Sequence, residues 1–151
     1  MTLSAGQILH ASDLFDAFVG ELVNNSLNRT STTTEVIGNT LTFTSPGTSA
    51  RYDVLWLGTY VGSVVTDVAR LRIRYQSGTS LTTAGTQLRI ITAAPATANK
   101  GQQFVLAATL SGLAAGQWTV GGTIQRASGS GNNSVSGGAT DEEYLKVLRV
   151  A

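Results

Sequence analysis

Val68-Ala69-Arg70-Leu71-Arg72-Ile73-Arg74-Tyr75 alternates between apolar and cationic side chains. Successive side chains of an extended strand point to opposite faces, so Leu71, Ile73 and Tyr75 fall on one side and Arg70, Arg72 and Arg74 on the other. A helix would scatter the arginines around its circumference, and only a strand with one buried face keeps the two sets apart. This stretch therefore decides the fold class: antiparallel sheet, apolar within and polar or charged without.

The same period of two recurs on either side. Arg51 to Val61, Val65 to Tyr75, Gln87 to Thr92, Gln103 to Leu110, Trp118 to Arg126 and Tyr144 to Val150 read as strands. Ser77-Gly78, Ala84-Gly85, Asn99-Lys100-Gly101 and Gly112 to Gly116 punctuate them as turns. Thr34 to Ile37 and Thr40 to Thr44, separated by Gly38-Asn39, read as a hairpin with a two-residue turn. Eight strands without an interspersed helix predict a mainly β domain over residues 31–151, an antiparallel β-sandwich of the jelly-roll kind. Tyr52-Asp53-Val54-Leu55-Trp56-Leu57 is apolar on both faces, so its second face needs a cover, either a loop or another subunit. On this basis Tyr52, Val54 and Trp56, with Arg70, Arg72 and Arg74, are assigned to a subunit interface. Ser128 to Gly138 carries too little apolar surface to pack and reads as a mobile tip or as the wall of a shallow site.

Residues 1–30 differ in kind. Ser12 and Asp13 suit a helix start, and Leu14, Phe15, Phe18, Val19, Leu22 and Val23 recur at three- and four-residue spacing. The spacing predicts a helix from about Ser12 to Val23 whose apolar stripe packs on its own domain, on a partner or on copies of itself. Ile8, Leu9, Leu14, Phe15, Phe18 and Leu22 are the candidate anchor and partner-contact residues.

Composition narrows the chemistry. The 151 residues include 21 Thr and 14 Ser but only ten cations and nine acids, with a formal net charge of +1. Phosphate-backbone binding needs concentrated Lys and Arg, so nucleic acid is not an expected partner. No apolar run approaches the 18 residues of a membrane span, and no membrane partner is expected. Without Cys and with His10 as the single histidine, thiolate catalysis, Cys-based metal centres and multi-histidine sites are excluded within one chain. No serine sits in a nucleophile elbow, and the glycine-rich Ser128 to Gly138 stretch lacks the lysine of a phosphate-binding loop. Glycoside hydrolysis would need two convergent carboxylates from Asp53, Asp67 and Asp141-Glu142-Glu143. The acidic cluster otherwise reads as a solvated loop or as a divalent-ion site shared across subunits. The arginine ladder suits ion pairs or a solvated face, a protein interface, or an anionic ligand. The expectation is a chain that is not an enzyme, with no cofactor and no metal.

Leu3-Ser4-Ala5-Gly6-Gln7-Ile8-Leu9-His10-Ala11-Ser12-Asp13-Leu14 resembles the opening of tailed-bacteriophage virion proteins, with Phe15 where that pattern commonly has Asn. Phe104 to Val120, closing with Tyr144 to Val150, resembles the last strands of tumour necrosis factor-like jelly rolls found in phage proteins. The resemblance implies a non-enzymatic virion component, commonly a homotrimer, with an N-terminal anchor and an outward jelly roll. The leading reading is a capsid decoration protein that binds the major capsid protein or another virion protein and reinforces the shell. The alternative is a tail-associated, receptor-binding protein whose Gly78 to Gly85 and Ser128 to Gly138 loops contact a host cell-surface glycan.

Overall fold

The computed structural model describes residues 18–24, 29–31, 33–136 and 143–150. They form ten strands: β1 (Phe18–Asn24), β2 (Arg29–Ser31), β3 (Val36–Ser45), β4 (Arg51–Gly62), β5 (Val68–Ser77), β6 (Thr86–Ala93), β7 (Gln102–Ser111), β8 (Gly116–Ser128), β9 (Asn133–Ser136) and β10 (Glu143–Arg149). No helix occurs among the described residues. In the first sheet β1, β10, β4 and β7 lie side by side, and β9 and β2 extend the β10 side along the end of β4. The second sheet runs β3-β8-β5-β6. All pairings are antiparallel, and each sheet interleaves early strands with late ones, as in a jelly-roll sandwich.

The core lies between the sheets. Tyr52, Val54, Trp56, Leu106, Leu110, Leu145 and Val147 project from the first sheet, and Leu71, Ile73, Val120 and Ile124 from the second. Phe43 and Tyr52 meet across the gap with ring centroids 4.7 Å apart. Trp56 is the central side chain. Its indole N–H donates to a buried Glu143 carboxylate oxygen at 2.7 Å, and Phe104 packs edge-on against it at 4.8 Å. The opposing strand makes room through Gly122, where an added Cβ would lie 2.3 Å from the Trp56 ring.

Two local expectations are corrected. The predicted hairpin is one strand: both of its arms pair with β8, Val36 opposite Ile124 and Leu41 opposite Val120, with a register shift between Ile37 and Thr40. Gly38-Asn39 is a bulge rather than a turn. The Asn39 carbonyl oxygen passes over Gly121, whose missing side chain leaves space for it. The predicted helix from Ser12 to Val23 is likewise not seen where it can be compared, because Phe18–Asn24 is strand β1 on the edge of β10. Phe18 and Leu22 fit a period of two as well as one of 3.6, and pairing covers a β10 edge that would otherwise stay open. Gly20 fits this packing, since a Cβ there would lie 2.9 Å from Leu41. Residues 12–17 lie outside the described residues. The sheet thus draws strands from residues 18–31 as well as from the stretch beyond.

The Ser128 to Gly138 stretch, expected as a mobile tip or as the wall of a shallow site, is held along its first half. Gly129, at φ +96°, turns the chain where an added Cβ would collide with Asp67. The Gly131 N–H then donates to Asp67 Oδ1 at 3.0 Å, the Asn132 N–H donates to Ser63 Oγ at 2.7 Å, and the Ser63 N–H donates to the Asn132 carbonyl at 2.9 Å. Asn133–Ser136 then pairs with β4 and β2.

Candidate assembly interface

Strand β4 is central in the first sheet, with β10 on one side and β7 on the other, so its edges are paired while its outer face stays open. Tyr52, Val54 and Trp56, assigned from sequence to a subunit interface, are at most 1% exposed and face the opposing sheet. That assignment is corrected: the charged Arg51 and Asp53 belong to the outward set, which turns Tyr52, Val54 and Trp56 into the core. The outward positions are Asp53, Leu55 and Leu57. Register places them in rows with β10 and β7: Tyr144, Leu57 and Val105; Lys146, Leu55 and Ala107; Leu148, Asp53 and Thr109.

These three rows form a largely apolar outer face with one cation, Lys146, and one acid, Asp53; Arg51 lies in the next row, opposite Ser111. Val105 is 62% exposed, and a shallow groove of about 420 Å³ is lined by Asp53, Leu55, Ala107, Thr109, Lys146 and Leu148. Asp53 accepts a hydrogen bond from the Thr109 hydroxyl at 2.8 Å. A sheet face of this kind, largely aliphatic with one tyrosine and few charges, has the character of a protein–protein contact.

The arginine ladder is built differently from its expected role. Arg70 is exposed on the outer face of the second sheet. Arg72 and Arg74 instead converge on Glu35, which enters from the segment before β3. Arg74 forms a fork with the carboxylate, Nε at 2.7 Å and Nη2 at 3.0 Å, and its Nη1 donates to the Gly85 carbonyl at 2.8 Å. Arg72 lies 3.3 Å from the same carboxylate and donates to Gln125 Oε1 at 3.0 Å; the Thr123 hydroxyl also donates to Glu35. The charges of Arg72 and Arg74, assigned from sequence to a subunit interface, are met within the chain. They tie the crossover into β3 onto the second sheet.

Burial alone would raise the Glu35 pKa, but hydrogen bonds from Arg74 and Thr123 and the charges of Arg72 and Arg74 outweigh it and hold it below the ordinary 4.5. A carboxylate depressed in this way stabilises the fold fully above its unfolded pKa and loses that contribution as pH falls through the folded value. Glu35→Gln is expected to cost about 2 kcal/mol at pH 7. The corresponding drop in melting temperature is about 4–8 °C. The gap to the parent protein should narrow as pH falls below 4.5. Thermal melts at pH 7 and pH 3 check this; an equal gap at both would contradict it.

The carboxylates considered for catalysis do not converge. Asp53 is exposed on the outer sheet face, Asp67 is buried beyond the far end of β4, and Glu143 is buried against Trp56. Asp53 and Gly62 alone are separated by nine strand residues, roughly 30 Å. Asp141 and Glu142 lie outside the described residues. Among the described residues no three His, Cys, Asp or Glu side chains gather as metal ligands would. At the Asp67 end, Tyr60 donates to Asn133 Oδ1 at 2.5 Å, and burial, then the Asp67 charge, pushes the phenol up to about 12. This cluster fastens loops.

The two loops expected to contact a glycan occupy opposite ends of the sandwich. Register sets Val68 beside Ser128 and Ser77 beside Trp118, so Gly78 to Gly85 and the Ser128 stretch are separated by the length of β5, roughly 30 Å. A single compact ligand cannot bridge them. Of the anchor candidates, Ile8, Leu9, Leu14 and Phe15 lie outside the described residues, while Phe18 and Leu22 sit in β1, opposite Leu148 and Leu145. Sequence reasoning missed Glu35, Val105, Ala107 and Leu148. It named the Tyr52 to Leu57 strand as a source of the interface but singled out Tyr52, Val54 and Trp56 rather than Leu55 and Leu57.

No family model matches the chain, and no curated protein matches it in sequence. Solved structures similar to it include Eiger TNF from S. frugiperda, at 13% identity and TM-score 0.45, covering 67% of this chain and 59% of that one. The infectious bursal disease virus VP2 subviral particle is similar at 11% identity and TM-score 0.47, covering 88% of this chain and 37% of that one. The bacteriophage CBA120 tailspike protein 4 enzymatically active domain is similar at 14% identity and TM-score 0.36, covering 87% of this chain and 18% of that one. The chain spans less than two thirds of the length of each of these three.

Proposed function

We propose that the chain is a non-enzymatic structural component of a tailed-bacteriophage virion, a capsid decoration protein that binds and stabilises the shell as a homotrimer. The observation that carries this reading is the apolar outer face of β10, β4 and β7, which the described chain leaves uncovered. Obligate interfaces commonly bury roughly 2,000 Å² or more, the area that three copies packed around this face would have to cover. The N-terminal segment supplies the anchor to the major capsid protein or another virion protein through Ile8, Leu9, Leu14 and Phe15, at the head of the strand that begins with Phe18 and carries Leu22.

Protein composition of purified virions tests the reading. A decoration protein is present in hundreds of copies per particle; a handful of copies confined to the tail would contradict it. The second reading, a tail-associated receptor-binding protein that contacts a host cell-surface glycan, is favoured by one feature. The loop from Gly129 to Asn132 is already fixed by Asp67 and Ser63, and a preorganised loop suits recognition. That reading requires the purified protein to block adsorption.

Because β1 pairs with β10, an anchor deletion must stop before Phe18. Removing residues 1–17 is expected to abolish particle binding while leaving the thermal melt within about 1 kcal/mol of the parent. A truncated protein that still binds particles would place the anchor elsewhere.

A further inference from the structure

We propose that the open edge of β7 pairs antiparallel with β7 of a second copy across a two-fold axis, so that the first sheet runs on from one copy into the next. The pairing uses the main chain of β7 and rests neither on the virion reading nor on the outer-face contact above.

An edge strand offers a row of unpaired N–H and C=O groups, and proteins guard such rows with charge, proline, a bulge or shortness. The other terminal strands of the two sheets carry these devices. β2 has three residues, and β1 has Glu21 and a register shift between Phe18 and Gly20. β3 has the bulge at Gly38-Asn39, and β6 has Arg89 and a shift in its ladder between Ile73 and Arg74. β7 has none of them. From Gln102 to Ser111 it contains no charge, proline or glycine. Its ladder with β4 runs without a shift from Gln102 opposite Tyr60 to Ser111 opposite Arg51. Among the described residues β7 pairs with β4 alone.

The side chains fix the partner and the register. Gln103, Val105, Ala107, Thr109 and Ser111 are exposed, while Phe104, Leu106 and Leu110 are buried. Opposite residues of an antiparallel pair share a face, so a two-fold axis normal to the sheet must pass through a residue and not between two. Centred on Ala107, every row joins like with like. Val105 meets Thr109 and Gln103 meets Ser111 on the outer face, while Leu106 meets Ala108 and Phe104 meets Leu110 on the core side. No like charges are brought together, because residues 103–111 carry none. A foreign strand would need this same alternation, and a second copy has it by symmetry.

A single ladder is a small contact, below the roughly 1,200 Å² of a stable interface. It is populated where copies are concentrated or already held side by side. A two-fold contact cannot close a three-fold ring, so in a homotrimeric assembly it links one ring to the next.

The absence of cysteine permits the register to be trapped. Ala107→Cys, Val105→Cys and Thr109→Cys are each made in a Leu57→Asp background, which sets a carboxylate on the outer face and opposes the contact there. The purified proteins are oxidised at a few hundred micromolar. In the proposed register the Cβ atom of residue 107 lies about 5 Å from its own copy, close enough for a disulfide after a small adjustment. Residue 105 lies four strand residues, about 14 Å, from its own copy and beyond disulfide reach. Ala107→Cys alone should therefore form a covalent dimer. Val105→Cys and Thr109→Cys should each do so roughly ten-fold more slowly alone, and should cross-link to one another when mixed. Sedimentation of the Leu57→Asp chain reports the outer-face contact separately, so failure of that contact is not mistaken for failure of this one. Absence of the Ala107→Cys dimer, or equal rates for all three variants alone, overturns the β7 pairing.

Discussion

Leu57→Asp is expected to convert the assembled protein into folded monomers. Leu57 lies on the outer face of the first sheet between Tyr144 and Val105. The Lys146 cation belongs to the next row, opposite Leu55. Burying an unpaired carboxylate in an apolar contact costs several kcal/mol even after relaxation. A loss of about 3 kcal/mol per contact weakens self-association roughly 100-fold. Leu57 points away from the core, so circular dichroism should remain that of the parent. Val105→Glu, at the most exposed apolar position of the same face, repeats the test on edge strand β7 with less disturbance of the strand. Sedimentation of both variants at micromolar concentration measures the effect. Unchanged assembly in both would show that this face is not the interface.

Gly122→Ala is expected to be among the most destabilising single-methyl additions in the chain. The new Cβ would lie 2.3 Å from Trp56 Cε2 and 2.5 Å from Cζ2. Trp56 cannot simply move away, because Glu143 holds its indole N–H and Phe104 packs its edge. Overpacking a well-filled core costs 1–3 kcal/mol, and a contact this short with a fixed ring belongs at the upper end, about 3 kcal/mol. For a domain of this size that lowers the melting temperature by about 6–12 °C. Gly47→Ala is a useful contrast: its backbone also disfavours a side chain, at φ +146°, but nothing lies within 4 Å of its Cβ. If Gly122→Ala melts no lower than Gly47→Ala, the proposed Trp56 packing is wrong.

The fold was legible wherever period and phase were both marked. In β5, arginine at every second position established that Leu71 and Ile73 face inward. In β4 the period was equally clear but the phase was not, because large apolar side chains occupy both faces from Tyr52 to Leu57. Asp53 held the missing information, being a poor candidate for an apolar core. The N-terminal error had the same origin: Phe18 and Leu22 satisfy two periods, and the choice was made by the open edge of β10, more than 100 residues away. The Glu35 network was hidden for a related reason. Its partners Arg72, Arg74 and Thr123 become neighbours only when β3, β8 and β5 pair. Gly38-Asn39 carried a genuine turn signal, and the space above Gly121 converted it into a bulge.

Scarcity of charge acquires a structural meaning in this arrangement. Arg72 and Arg74 are met by Glu35 inside the chain, and the outer face of the first sheet carries only Lys146 and Asp53 among its central rows. Aliphatic side chains with Thr109 and Tyr144 fill the remaining positions of these rows, so a second copy packed on them would strand few charges.

The most direct test is the solution mass of the full chain, measured by sedimentation equilibrium at micromolar concentration. Assembly through the outer face of β10, β4 and β7 predicts a single species of three times the 15.7 kDa chain mass. A monodisperse monomer would contradict it.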